Sequence, residues 1–198
     1  MRTVLDRPTT AIDPLVGALE DAAGIAEPGE RPAPDVDGGT RTKELVIVSW
    51  SGELDRVWPT LILSSTAAAS GLRCRVFVTF WGLLPYVRDG RRITGDNWMQ
   101  KMLALMQRLG IDHVKLSKMN FLGLGPWMMR RLSRRYHVAS PRELLEAAQL
   151  LGVEFVPCQM TMDLLGLTSD DLIDAMGEPA GAATAIELMT AADASLFI

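Results

Sequence analysis

Cysteine, histidine and long apolar runs are all scarce in this 198-residue chain, and each scarcity excludes something. Two cysteines, Cys74 and Cys158, are too few for a disulfide framework and lack C-x-x-C spacing, which favours a reducing cytosol. The two histidines, His113 and His137, show no ligand spacing with a cysteine or carboxylate, so neither a zinc site nor any other metal or cofactor is expected. The longest apolar run, Val76 to Leu84, already contains Thr79 and Gly82 and stops at Pro85, so no membrane-spanning helix is expected. Met1 to Thr10 carries Arg2, Asp6 and Arg7 with no apolar block behind it and does not read as a secretory signal. What is present, 48% apolar residues in a chain of this length, suits one soluble globular domain with a real core.

Charge is unevenly spread. The net value is −4, yet Arg88 to Arg142 holds 12 basic and 3 acidic residues, whereas Glu143 to Ile198 holds none and 10. Such a split either neutralises itself within the molecule or presents charged faces to a partner. Nucleic-acid binding is not supported, because the chain is acidic overall and carries no recognised module.

Residues 26–40 contain Pro28, Gly29, Pro32, Pro34, Gly38 and Gly39 with almost nothing apolar, and read as a linker. Residues 1–42 are therefore expected to form a disordered or loosely docked tail, and 43–198 the folded domain. From there strand and helix alternate. Leu45 to Val48 reads as a buried parallel strand, followed by a helix with Pro59 in its first turn and Gly71 at its end. Val76 to Phe80 reads as a second strand and Gly82 to Asn97 as a turn-rich insertion. Apolar residues at helical spacing predict a helix from Trp98 to Leu109, then a short strand from Ile111 to Leu116 and a basic amphipathic helix from Trp127 to Tyr136. Ser140-Pro141-Arg142-Glu143 is a capping box that opens a helix ended by Gly152. Val153 to Val156 reads as a strand, Gly181 to Ala192 as a helix and Ser195 to Ile198 as a final strand. The alternation predicts an α/β fold with an open, mostly parallel sheet covered by helices on both faces.

In such sheets reacting groups gather outside the carboxyl ends of the strands, here Ser49 to Asp55, Thr79 to Leu83 and Cys158 to Asp163. Cys158 leaves a strand and enters the first turn of a helix, where free backbone N–H groups and the helix dipole favour a thiolate. The bland alternative is a small buried hydrophobe. Cys74 opens a strand at the opposite end of the sheet and is expected to be structural. Gly123-Leu124-Gly125 lacks a dinucleotide fingerprint's third glycine, and Ser49-Trp50-Ser51-Gly52 lacks the glycine pattern of a nucleophile elbow. Ten of the 11 methionines lie between Met99 and Met189; most read as core filler, with a subset near Cys158 suited to an adaptable contact surface.

Four segments in order carry a resemblance: Ser51-Gly52-Glu53-Leu54-Asp55; Thr79-Phe80-Trp81-Gly82; Leu116 to Asn120 with Gly123 to Met129; and Cys158-Gln159-Met160-Thr161-Met162-Asp163-Leu164-Leu165-Gly166. Together they resemble the DsrE/DsrF-like sulfur-relay family, in particular its peroxiredoxin-like branch, from about Lys43 to Ile198. The resemblance implies a three-layer α/β/α domain that forms homo-oligomers. It further implies a cysteine, matching Cys158, that carries sulfur as a persulfide between a rhodanese-like donor and a TusA-like carrier. Where some members have another cysteine, near the first strand's turn, this chain has Ser49, Ser51 and Glu53, which counts against a two-cysteine mechanism. Some members are membrane-associated, which leaves peripheral membrane contact open for a cytoplasmic protein with this basic helix.

Chemistry and resemblance meet on a sulfur carrier with Cys158 as nucleophile. Ser51 and Gly52 are expected to steady the anionic persulfide, Trp81 to shield it and Thr161 to orient it. The alternative is a non-catalytic interaction or peripheral membrane protein using a basic, methionine-rich surface. A thiol peroxidase is a weaker rival, because no nearby cysteine is expected to resolve a sulfenic acid.

Overall fold

The computed structural model describes residues 41–88, 109–118 and 123–198. Of the expected tail, only Arg41 and Thr42 fall among these residues, and the helix expected from Trp98 lies outside them save for Leu109.

Four strands, β1 (Glu44–Ser49), β2 (Arg73–Val78), β3 (Glu154–Pro157) and β4 (Ala194–Phe197), form one sheet in the order β3-β2-β1-β4. Every pairing is parallel, with Val48 opposite both Phe77 and Phe197, and Val78 opposite Pro157. The central strands β1 and β2 are buried over their carboxyl halves, as apolar runs covered on both faces, whereas the edge strand β4 is exposed throughout. On one face Ile47, Val76, Val78 and Phe155 pack with Val57, Trp58 and Leu61 of α1 (Leu54–Ala69). Leu145 and Ala148 belong to the same core, on a helix we number α3 (Pro141–Leu150), after α2 (Leu124–Arg135). On the other face Val48 and Phe77 pack with Ala185 of α5 (Ala182–Ala191), and Val156 and Met189 lie against them. Residue alternation along each strand sorts the side chains between these two cores. Helix, sheet and helix thus form the three layers that the alternation of elements predicts.

Local signals place most boundaries. Ser140 accepts the Glu143 N–H at 3.3 Å while Glu143 accepts the Ser140 N–H at 2.7 Å, the reciprocal pair that starts α3. The short α4 (Gln159–Leu165) ends where Gly166 turns left-handed, φ 65.

Two expectations are corrected. Pro59 lies in the second turn of α1, because the Glu53 carbonyl already accepts the N–H groups of Arg56 and Val57 and starts the helix at Leu54. Ile111 to Leu116 is no strand: Ile111–His113 is a single 3-10 turn. Ile111 and Val114, three apart, are both buried, whereas Asp112 points out to the Arg142 guanidinium, so the periodicity belongs to a turn rather than to a pleat. The insertion after β2 opens as a 3-10 run, Phe80–Tyr86, whose second half is buried.

Candidate functional site

Cys158 follows directly on β3 and is the N-cap of α4. Its backbone is pinned on both sides. The Cys158 N–H donates to the Val78 carbonyl at 2.9 Å, extending the β2–β3 ladder by one rung, and the next N–H, of Gln159, donates to Ala180 at 3.0 Å. The Cys158 carbonyl accepts from Met162 at 3.1 Å, the first bond of the helix. The side chain therefore has little freedom to move away from the strand ends.

That side chain keeps only 6% of its surface exposed, yet it is not sealed. It forms part of the floor of a cleft of about 280 Å3 on the α5 face of the sheet, whose lining includes Phe80, Met160, Leu164, Ile186, Met189 and Phe197. Thr79 and Thr161 supply the polar groups there. Burial raises the Cys158 pKa, but hydrogen bonds from the Thr79 and Thr161 hydroxyls and from the backbone of Thr161 and Met160 outweigh it, so the thiol lies below its ordinary 9.0.

The two threonines form one device. Their hydroxyl oxygens are 3.1 Å apart, and Thr161 Oγ1 also accepts the Phe80 N–H at 3.0 Å. Each hydroxyl has one proton. With Cys158 neutral, one threonine donates to the other. With Cys158 ionised, both protons can turn to the sulfur. Phe80 reaches Thr161 only by adopting a left-handed backbone, φ 52, uncommon for an aromatic residue and costing on the order of 1–3 kcal/mol. Packing of the turn over the strand ends has to offset that strain.

Of the four residues expected to assist Cys158, only Thr161 shares its cleft. Ser51, Gly52 and Trp81 line a separate cleft of about 430 Å3, together with Glu53, His113 and Lys115. The Ser51 hydroxyl is engaged in its own turn, accepting the Glu53 N–H at 3.3 Å and donating to the Glu53 carboxylate at 3.4 Å. Gly52 serves close approach: a Cβ there would stand 2.4 Å from the Trp81 carbonyl oxygen. Thr79 and Phe80 are the contributors that sequence reasoning left unassigned. Both stand just after β2, in one of the three crevice segments that the strand pattern marks.

Cys74 is 1% exposed on the opposite, α1 face, where burial and the neighbouring Glu44 carboxylate push its thiol up to about 11. The two thiols thus belong to different cores and opposite electrostatic settings.

The chain is an open, all-parallel α/β sheet protein with a cysteine at the carboxyl edge of its strands. Residues 41–197 match the profile of the DsrE/DsrF/DrsH-like family, and the chain belongs to that family. Its sequence is 35% identical over 159 residues to the sulfur carrier protein DsrE2 of Allochromatium vinosum, covering 79% of this chain and 98% of that one. It is 37% identical over 134 residues to the uncharacterised protein YrkE of Bacillus subtilis, covering 68% of this chain and 84% of the relative. Among solved structures, the YchN protein of E. coli aligns with a TM-score of 0.48 at 14% identity, covering 80% of this chain and all of that one. Among the described residues no helix is long and apolar enough to cross a membrane.

Proposed function

We propose that this protein is a sulfur carrier that holds sulfane sulfur as a persulfide on Cys158 and passes it to a thiol on a partner protein. The observation that carries the reading is the Cys158 thiol itself, lowered in pKa by two threonine hydroxyls at the floor of an open cleft. The sulfur-carrier relative supports it. The Cys158 thiolate attacks the outer sulfur of a donor persulfide; the Cys158 S–S bond forms as the donor S–S bond breaks, and the donor leaves as a thiolate. An acceptor thiolate then attacks the outer sulfur of Cys158-S-SH, takes it with its proton, and returns Cys158 to the thiolate. No net oxidation or reduction occurs. Thr79 and Thr161 stabilise the leaving Cys158 thiolate in the second step.

The donor is proposed to be rhodanese-like and the acceptor a TusA-like carrier, with the protein a cytoplasmic homo-oligomer. The test is intact mass after incubation with thiosulfate and rhodanese. Wild type is expected to gain the mass of one sulfur atom and Cys158→Ser none; equal loading of both defeats the proposal.

The rival, a peripheral membrane or interaction protein, has one observation in its favour. On α2, Trp127, Met128 and Leu132 are about half exposed among four arginines, with Arg131 over the Trp127 ring at 6.0 Å. Thiol alkylation separates the two: a fast-reacting Cys158 supports the carrier, whereas an inert thiol together with pelleting on liposomes supports the rival.

A further inference from the structure

The walls of the Cys158 cleft are soft and uncharged. Phe77, Phe80 and Phe197 line it with Met160 and Met189, so that aromatic rings and thioethers surround one thiol. Apart from the Thr79 and Thr161 hydroxyls the remaining lining is aliphatic, and among the described residues it includes no lysine, arginine, histidine, aspartate or glutamate. Met160, Phe197 and Phe80 are at least half exposed and also face solvent. The volume, about 280 Å3, lies at the lower limit of ligand pockets, roughly 300 Å3, and fits a compact molecule.

Charge limits which sulfur compound Cys158 can attack. A thiolate that attacks an anion such as thiosulfate or tetrathionate brings a second negative charge into an apolar site with no cation to meet it. The Thr79 and Thr161 hydroxyls have one proton each, and both are already drawn on to hold the Cys158 thiol below its ordinary pKa. An uncharged electrophile leaves a single negative charge, spread over two sulfur atoms as the bond forms. A free leaving group would add a further demand, because the lining offers no acid stronger than a threonine hydroxyl to receive it. A ring of sulfur avoids both costs: it is neutral, its leaving atom stays tethered, and its polarisable atoms pack well on aromatic rings and thioethers.

We infer that this cleft takes up uncharged catenated sulfur, in the form of a sulfur ring, and that Cys158 opens the ring. The inference rests on the sulfur-carrier reading and adds a small-molecule donor to it. The Cys158 thiolate attacks one ring atom. The Sγ–S bond forms, one ring S–S bond breaks, and its electron pair becomes the perthiolate at the far end of the opened chain. No atom leaves, no proton is needed, and no outside oxidant or reductant takes part. An acceptor thiolate that attacks this chain breaks one S–S bond and carries away the outer sulfur.

The probes are cyclooctasulfur added from ethanol, dimethyl trisulfide as a soluble neutral compound, and tetrathionate as an anionic one, each followed by intact mass of the full, reduced chain. With the trisulfide, Cys158 attacks a methyl-bearing sulfur, forms Cys158–S–S–CH3 and expels methyl perthiolate. With tetrathionate it attacks an inner sulfur, forms Cys158–S–S–SO3− and expels thiosulfate. Each rate is divided by that of the N-acetylcysteine thiolate with the same compound, which removes intrinsic reactivity. Cyclooctasulfur is expected to add whole sulfur atoms to wild type and none to Cys158→Ser. At low salt the normalised trisulfide rate should exceed that of tetrathionate about tenfold. Ile186→Lys puts a cation on an exposed wall and should narrow that gap, and high salt should restore it. Circular dichroism verifies that the variant is folded.

Equal normalised rates, or a faster reaction of wild type with tetrathionate, overturn the inference. So does a wild type that gains no sulfur from the ring, and so does undiminished gain in Cys158→Ser. Loading from rhodanese without these preferences would remove the inference and leave the protein-to-protein carrier standing; ring opening and the neutral preference without loading from rhodanese would do the reverse.

Discussion

Thr79 and Thr161, 82 residues apart in sequence, bring their hydroxyl oxygens to 3.1 Å at the end of β2 and the first turn of α4, and both hydroxyls pull the Cys158 thiol below its ordinary pKa. Neither threonine alone would make a site. Together they offer two movable protons to one sulfur, and Thr161 is held in place by the Phe80 N–H.

Removing either hydroxyl should therefore raise the Cys158 pKa. For Thr161→Val the pH midpoint of iodoacetamide alkylation is expected to move up, toward or above the ordinary thiol value, while Thr161→Ser keeps the wild-type midpoint because it keeps the donor. Thr79→Val should shift it in the same direction. A hydroxyl-independent midpoint, with all variants folded, would show that burial rather than hydrogen bonding governs this thiol.

Gly52 and Gly82 are expected to be intolerant of any side chain. A Cβ on Gly52 would sit 2.4 Å from the Trp81 carbonyl oxygen, and one on Gly82 2.4 Å from that of Ser49, so the turns after β1 and β2 touch backbone to backbone. Gly52→Ala and Gly82→Ala should each cost about 1–3 kcal/mol, read as a lowered urea midpoint. Gly181→Ala is the control, because nothing lies within 4 Å of its Cβ position; it should be neutral or slightly stabilising. Equal effects at all three positions would refute the close-approach account.

Cys74 makes stability depend on alkaline pH. Its folded pKa, about 11, lies above the ordinary 9.0 of an unfolded thiol, so its contribution is complete below the lower value and is lost as pH rises through the higher one. Tyr86, also raised by burial, acts in the same direction. Urea midpoints should thus fall as pH rises from 9.0 to about 11, and Cys74→Ala should flatten the part of that fall due to the thiol. An unchanged slope in the variant would show that Cys74 does not stay protonated in the folded state.

Much of this architecture could be read locally. The apolar runs at β1 and β2, the capping box at Ser140 and the stops at Gly152 and Gly166 are decided within a few residues, by burial pattern and by backbone donors that need a partner. Ile111 to Leu116 misled because a stretch that short fits a pleat and a turn equally well, and only its lack of a ladder partner separates them. The mechanism expected for Ser51, Gly52 and Trp81 assumed that every turn at the carboxyl edge faces one crevice. Among the described residues these three line a cleft other than the one that holds Cys158.

By itself the sequence determined that a cysteine stands at a strand end before a helix, in a segment without a single cation, because those are properties of neighbours along the chain. Tertiary structure decided which residues tune that cysteine, since Thr79, Phe80 and Thr161 meet only when β3 pairs with β2 and α4 folds over the strand ends. It also decided which face of the sheet the thiol opens onto, because a side chain's face follows from strand register and from the helix packed against it, and no local pattern encodes either.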